Sequence, residues 1–412
     1  MERSLRLLKD RPGAGNANTS ENSPPTCSVA MPMVPSATVL TVPFLDLTPS
    51  AAERDRLLTA CARVIASGRY IGGAEVERFE AAVAAYLGVS NAVACSSGSD
   101  ALAIALHALG VGPGDEVIVP AFSFFSTVES VVRVGAVPRF VDIELETLAA
   151  DPAAIEAAIG PRTRAILVVH IAGTPARIVE LCAAAERRGV AVVEDAAQAF
   201  GSRVSGRALG SFGEVGCFSF QATKPLGALG DAGLVVCRDA EMAARCRRLT
   251  VHGATGRHRH AEVGGNYRMD ALHAAMLSEK LATFEDALAA RTRIAATYDE
   301  ALSGLPNIAT PHVPDGALSN RALYIVRVGQ GQRDELSRFL AERGVETSVY
   351  YPRPLYSQEA LLSRGLGLAE GTLARVEQAC REVLALPLFP SLRSEQVERV
   401  IKGVRSFVGD QR

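Results

Sequence analysis

RAILVVHIAGTPARIVELCAAAERRGVAVVED (164–195) is the stretch on which the fold turns. RAILVVH (164–170) and VAVVED (190–195) are short apolar runs, each ending on a polar residue, and ELCAAAERRG (180–189) between them is helix-like. Apolar runs of this length without alternation read as buried strands. The same pattern continues outward. EVIVP (116–120), PRFVD (138–142), GCFSF (216–220) and GLVVC (233–237) are further buried strands. AEVERFEAAVAAYLG (74–88), with its glycine stop, and DALAIALHALG (100–110) are helices. Strand–helix alternation predicts an α/β fold with a mostly parallel, doubly wound sheet carrying helices on both faces.

Beyond a long helical region at 269–302 the character changes. ALYIVRV (322–328), RDELSRFLAERG (333–344), VETSVYY (345–351) and SEQVERVIKGVRSFV (394–408) read as a smaller C-terminal α+β domain. The expected organisation is a disordered extension over 1–40, a large domain over 41–290 and a small one over 291–412. Within 1–40 the sequence is charged and then polar and Pro-rich, with no apolar core before a cleavage site, and Met31 and Met33 are alternative starts.

The chain has 412 residues, enough for a full core and two domains, and a formal net charge of −2. That charge offers no electrostatic footprint for nucleic acid or an anionic membrane, and no apolar run reaches spanning length. The eight cysteines are scattered without a C-x-x-C pair, so neither a disulfide framework nor a structural zinc site is expected, and a cytoplasmic location is.

In an open parallel sheet, ligands bind beyond the carboxyl ends of the strands. Lys224 follows GCFSF by four residues and precedes the glycine-rich PLGALGDAG (225–233). Its nearest charged neighbours in sequence are Glu214 and Asp231. An isolated lysine in apolar surroundings has its pKa lowered by desolvation and suits Schiff-base chemistry with an aldehyde cofactor; a snorkelling side chain is the plainer alternative. Asp195 ends a strand, with Gln198 three residues on. A carboxylate there suits the protonated pyridine nitrogen of pyridoxal phosphate, and Gln198 suits the ring's phenolic oxygen; Asp195 as a helix cap is the competing reading.

SSGSDAL (96–102) places Ser97, Gly98 and Ser99 before a helix, where free N–H groups and the helix dipole suit a phosphate, although the same residues also make an ordinary turn. Ser219, five residues before Lys224, is placed to reach the same phosphate. Phe124, in PAFSFFST (120–127), is positioned either to stack on a flat ring or to pack in the core.

Taken in order, these motifs resemble the DegT/StrS family of pyridoxal-phosphate enzymes of fold-type I, the nucleotide-sugar aminotransferases. The resemblance runs from VPFLDL (42–47) to ALPLFPSL (385–392) and includes SGRYIGGAEVERFE (67–80), VEDAAQAFGS (193–202), CFSFQATKPLGALGDAG (217–233) and GGNYRMDALHAAML (264–277). It implies that Lys224 bonds the cofactor aldehyde, that Asp195 and Gln198 hold the ring, that Phe124 stacks on it, and that Gly98, Ser99 and Ser219 hold the phosphate. Asn266 would reach the phosphate of a neighbouring subunit, which implies a homodimer with shared sites. Relatives that deoxygenate carry histidine in place of Lys224, so the lysine implies transamination, with L-glutamate as donor and a nucleotide-linked keto sugar as acceptor. KPLGALGDAG resembles relatives that act on 3-keto sugars; 4-keto sugars and aminocyclitols are the alternatives within the family, and a non-catalytic cofactor sensor is the alternative outside it.

Two motifs depart from the family. Its histidine–hydrophobic–tyrosine–glycine is His170-Ile171-Ala172-Gly173 here, and its Pro-Leu-His is Pro354-Leu355-Tyr356. Tyr356, Tyr70, Arg257 and His258 are candidate substrate contacts. No metal is expected, because HGATGRHRH (252–260) lacks carboxylates and thiolates and its arginines repel a cation.

Overall fold

A computed structural model describes residues 41–367 and 373–410; the extension expected over 1–40 lies outside them. Helix α1 (Ala51–Ser67) starts where Ser50 accepts the Glu53 N–H and stops at Gly68, which has the left-handed φ of 64°. Then follow α2 (Ala74–Leu87), β1 (Asn91–Cys95), α3 (Gly98–Ala108), β2 (Glu116–Pro120), α4 (Phe125–Arg133), β3 (Val137–Val141), α5 (Pro152–Ala158), β4 (Thr163–Val169), α6 (Ile178–Arg188) and β5 (Ala191–Asp195). A hairpin of β6 (Arg203–Val204) and β7 (Arg207–Ala208) leads to β8 (Val215–Ser219) and β9 (Gly233–Cys237).

Seven strands form one sheet in the order β1-β9-β8-β5-β4-β2-β3. Only β9 runs against the others, antiparallel to both β1 and β8. Neighbouring residues along a strand enter different cores, as a period of two requires. Val117, Leu167 and Val193 pack on one face, and Ile118, Ile166 and Val192 on the other. A fully buried Val, Ile or Leu contributes about 1.5–3 kcal/mol of transfer free energy, which is why these unbroken runs become central strands.

The chain continues through α7 (Ala240–Thr250), the hairpin β10 (Ala254–Gly256) and β11 (Arg259–His260), α8 (Ala271–Leu281) and α9 (Phe284–Leu302). The helical region expected over 269–302 is therefore two helices, broken at Ala282 and Thr283. The boundary placed at residue 290 falls inside α9. A second, antiparallel sheet pairs β12 (Ile308–Ala309), β14 (Tyr324–Val328) and β15 (Val383–Leu386) around a core that includes Tyr298, Tyr324, Leu336 and Val400. Between these strands lie β13 (Ala317–Leu318), which pairs with β6, and α10 (Arg333–Ala341). The helices α11 (Glu359–Leu362), α12 (Ala374–Glu382) and α13 (Ser394–Asp410) complete the chain.

VETSVYY is not a strand. It makes only isolated bridges, Val345 to Val42 and Ser348 to Ala385, and so passes as extended chain toward the main sheet. NAVAC (91–95), too rich in alanine to mark itself as a strand, is the edge strand β1. Among the described residues, no helix is long and apolar enough to cross a membrane.

Candidate active site

The parallel strands deliver their last residues to one end of the sheet. Asp195 ends β5 and Ser219 ends β8, while β1 runs through Ser97 into α3 and β2 runs through Phe124 into α4. At that end Gly98, Ser99, Phe124, Asp195, Gln198, Ser219 and Lys224 line a single cavity of about 390 Å³.

Asp195 is buried, and burial pushes its carboxyl above the ordinary value. Opposing that, Thr127 Oγ1 donates to Oδ2 at 2.8 Å, the Ala197 N–H donates to Oδ1 at 3.2 Å, and the Lys224 charge lies close by. The Thr127 hydroxyl is in turn 2.7 Å from that of Ser123. Desolvation lowers the Lys224 pKa, and the Asp195 charge only partly offsets this. The pair thus couples an amine easily freed of its proton to a carboxylate held ready for a cationic partner.

The Gln198 amide has one allowed orientation. Its Oε1 accepts the Ala172 N–H at 2.6 Å, so Nε2 is the donor, and it gives one hydrogen to the Tyr351 hydroxyl at 3.0 Å. The ring of Phe124 is 57% exposed although its loop is buried, and its centroid lies 6.2 Å from that of Tyr351. It offers an uncovered aromatic face to the cavity.

Ser97 caps α3 by accepting the Asp100 N–H. The Ser99 hydroxyl lies 2.5 Å from that of Ser126, and Ser219 Oγ accepts the Gln221 N–H at 3.3 Å. A Cβ on Gly98 would stand 2.6 Å from Ser219 Cβ, so only glycine lets the α3 N-terminus approach β8 this closely. A cradle of N–H groups and hydroxyls at a helix N-terminus fits a phosphate. Amine, carboxylate, amide donor, aromatic face and phosphate cradle together fit pyridoxal phosphate.

Five predicted residues stand elsewhere. Asn266 is exposed outside the cavity, and its Oδ1 accepts from Arg268 Nε at 2.9 Å. Arg257 and His258 are exposed in the β10–β11 hairpin, and Tyr70 is half-exposed beside α8, its carbonyl accepting the Ala271 N–H. Tyr356 does not face the cavity. Its hydroxyl donates to Glu377 Oε1 at 3.1 Å and its ring packs on Phe140. Burial and that bond push its pKa up to about 12.

Thr127 and Tyr351 were not anticipated. For Thr127 a signal exists: it lies three residues after Phe124, on the first turn of α4. Tyr351 gives none, because only the tertiary path of an extended segment brings it to the cavity.

A lysine and a carboxylate in one cavity, at the carboxyl ends of a sheet of this order, define a fold-type I pyridoxal-phosphate enzyme. Comparison with known proteins agrees. Residues 51–405 match the DegT/DnrJ/EryC1/StrS aminotransferase family, and the chain belongs to it. It is 42% identical over 368 residues to the dTDP-3-amino-3,4,6-trideoxy-alpha-D-glucose transaminase of Streptomyces venezuelae, covering 89% of this chain and 96% of that one. It is 41% identical over 373 residues to a protein of Geobacillus stearothermophilus named "Pleiotropic regulatory protein", covering 89% and 99%. The crystal structure of NtdA from Bacillus subtilis with bound cofactor PMP superposes with a TM-score of 0.84 at 32% identity, over 90% of this chain and 85% of that one. The family is one of sugar aminotransferases that depend on pyridoxal phosphate.

Proposed function

We propose that this protein moves an amino group from L-glutamate to the ketone of a nucleotide-linked sugar, with a 3-keto deoxyhexose as acceptor. The observation that carries the reading is the convergence of Lys224 and Asp195 on one cavity beside the α3 phosphate cradle. When bound, the cofactor supplies the aldehyde that takes up the amine and the electron sink that makes the donor's Cα acidic. Lys224 would be the group that removes the donor's Cα proton and delivers it to the cofactor's aldehyde carbon, two bonds away, and the desolvation that lowers its pKa favours the free amine this requires. Asp195 would hold the proton on the ring nitrogen, the second N–H of Gln198 Nε2 would be the donor to the ring oxygen, and Phe124 would cover one face of the ring.

The 3-keto preference rests on KPLGALGDAG and on the name of the Streptomyces venezuelae relative. A homodimer with shared sites is part of the same reading. Asn266 lies outside its own cavity, and the nearby Val263 is 87% exposed, as a residue awaiting a second subunit would be.

A second reading, a cofactor-binding regulator without turnover, is favoured by the name of the Geobacillus relative. L-Glutamate separates the two. The enzyme, loaded with pyridoxal phosphate, should lose its visible band and release one equivalent of 2-oxoglutarate per site. Its aminated form should then be consumed by a 3-keto nucleotide sugar faster than by a 4-keto one. A visible spectrum indifferent to glutamate would overturn the proposed activity.

A further inference from the structure

Glu194 and His170 are both 0% exposed and take no part in the cavity lining. Glu194 precedes Asp195 on β5 and points to the opposite face of the sheet. Four N–H groups converge on its carboxylate: Phe212 N at 2.6 Å and Gly213 N at 2.8 Å on Oε1, Gly210 N at 2.8 Å and His170 Nε2 at 3.0 Å on Oε2. On the other side of the imidazole, Nδ1 accepts the Ala176 N–H at 3.1 Å. Nδ1 therefore carries no proton and the ring proton sits on Nε2, facing Glu194.

His170 also begins a turn. Its own N–H donates to the Asp195 carbonyl at 3.2 Å, so the imidazole and the backbone of one residue hold both ends of the segment 170–176. Inside that segment Ala172 has φ 55°, a left-handed conformation that a residue with a Cβ adopts only when its surroundings hold it there. The strained residue is the one whose N–H meets Gln198 Oε1.

We propose that the buried Glu194–His170 pair is a positioning device for Gln198: it holds the 170–176 turn so that the Ala172 N–H fixes which end of the Gln198 amide faces the cavity. Without that N–H the amide is free to turn its oxygen inward, and a donor toward the cofactor's ring oxygen becomes an acceptor. The inference rests on the proposed function, since it assigns that oxygen as the target of Gln198.

The visible absorption of the lysine–cofactor linkage, titrated with pH, tests it. The ring oxygen shares its electron density between the linkage proton and any N–H donated to it, so losing the Gln198 donor raises the titration midpoint. One N–H···O bond corresponds to roughly half to one pH unit. Gln198→Leu should show this rise. His170→Phe, and Glu194→Gln, which changes no volume, should each move the midpoint in the same direction, and neither should move it further in a Gln198→Leu background. His170→Asn, which keeps an acceptor near the place of Nδ1, should restore most of the wild-type midpoint. Near-ultraviolet circular dichroism identifies the folded variants. Wild-type midpoints in folded His170→Phe or Glu194→Gln protein, or shifts that add to that of Gln198→Leu, would overturn the inference while leaving the proposed function standing. Failure of the wild-type protein to form the linkage at all would instead remove the function on which it rests.

Discussion

Thr127→Val removes one hydroxyl at nearly constant volume from beneath the carboxylate of Asp195. The Thr127 hydroxyl is the largest of the influences opposing burial, and both residues are buried. A hydrogen bond to an ionised partner is worth about 1.5–3 kcal/mol. Asp195 must be ionised to hold a proton on the ring nitrogen, so the loss falls on the reactive state. Converted at 1.4 kcal/mol per decade, it predicts a fall of about 10- to 150-fold in kcat/KM for the glutamate half-reaction.

The cofactor-free protein provides an independent readout. Because the folded carboxyl lies above its ordinary 3.8, the folded chain holds more protons than the unfolded chain between the two values. Its contribution to stability is full below 3.8 and declines as pH rises through the folded value. Thr127→Val pushes the folded value higher and extends that decline, so the stability gap between wild type and variant should widen with pH, to about 1.5–3 kcal/mol at neutrality. Urea unfolding at several pH values measures it. A variant within two-fold of wild type in the half-reaction, with a gap that does not change with pH, would refute the claim that this hydroxyl holds Asp195 in its charged state.

Three further outcomes are expected. Lys224→Met should abolish covalent capture, so that borohydride treatment leaves the protein mass unchanged. Because the Lys224 pKa lies below 10.5, its contribution to the stability of the cofactor-free protein rises as pH climbs from the folded value toward 10.5, and urea unfolding of Lys224→Met should show a smaller gain over that range than wild type. Dimers mixed from Lys224→Met and Asn266→Asp chains should recover about half of wild-type activity if subunits share sites, since one of the two sites then carries neither change; no recovery would exclude sharing.

What the sequence made legible follows from topology. Lys224, Asp195, Gln198 and Ser219 each sit at or just past the end of an apolar run, and in a parallel sheet those ends share one side. Gly98 and Ser99 were readable because a helix must begin there. Thr127 lies three residues past Phe124, but its bond to Asp195 forms only where the first turn of α4 meets the end of β5. VETSVYY meets its neighbours only through the Val345–Val42 and Ser348–Ala385 bridges, so it stays extended and carries Tyr351 across to the cavity. The alanines and cysteine of NAVAC make a weak apolar signal, and its place as a strand follows from its pairing with β9. Ala282 and Thr283 contain neither glycine nor proline, so the helix break there had no local mark. His170 opens a motif marked in the sequence by its missing tyrosine, and its buried partner Glu194 becomes visible only in three dimensions.

Residues 194 and 195 are consecutive acids with unrelated duties, one locked into scaffold and one left for chemistry, and nothing but strand parity keeps them apart. Sliding β5 by a single position would turn the anchored acid toward the cofactor's side of the sheet and the reactive one to the opposite face. A length change inside this strand should therefore inactivate even a chain that still folds, while one in the preceding loop can be absorbed.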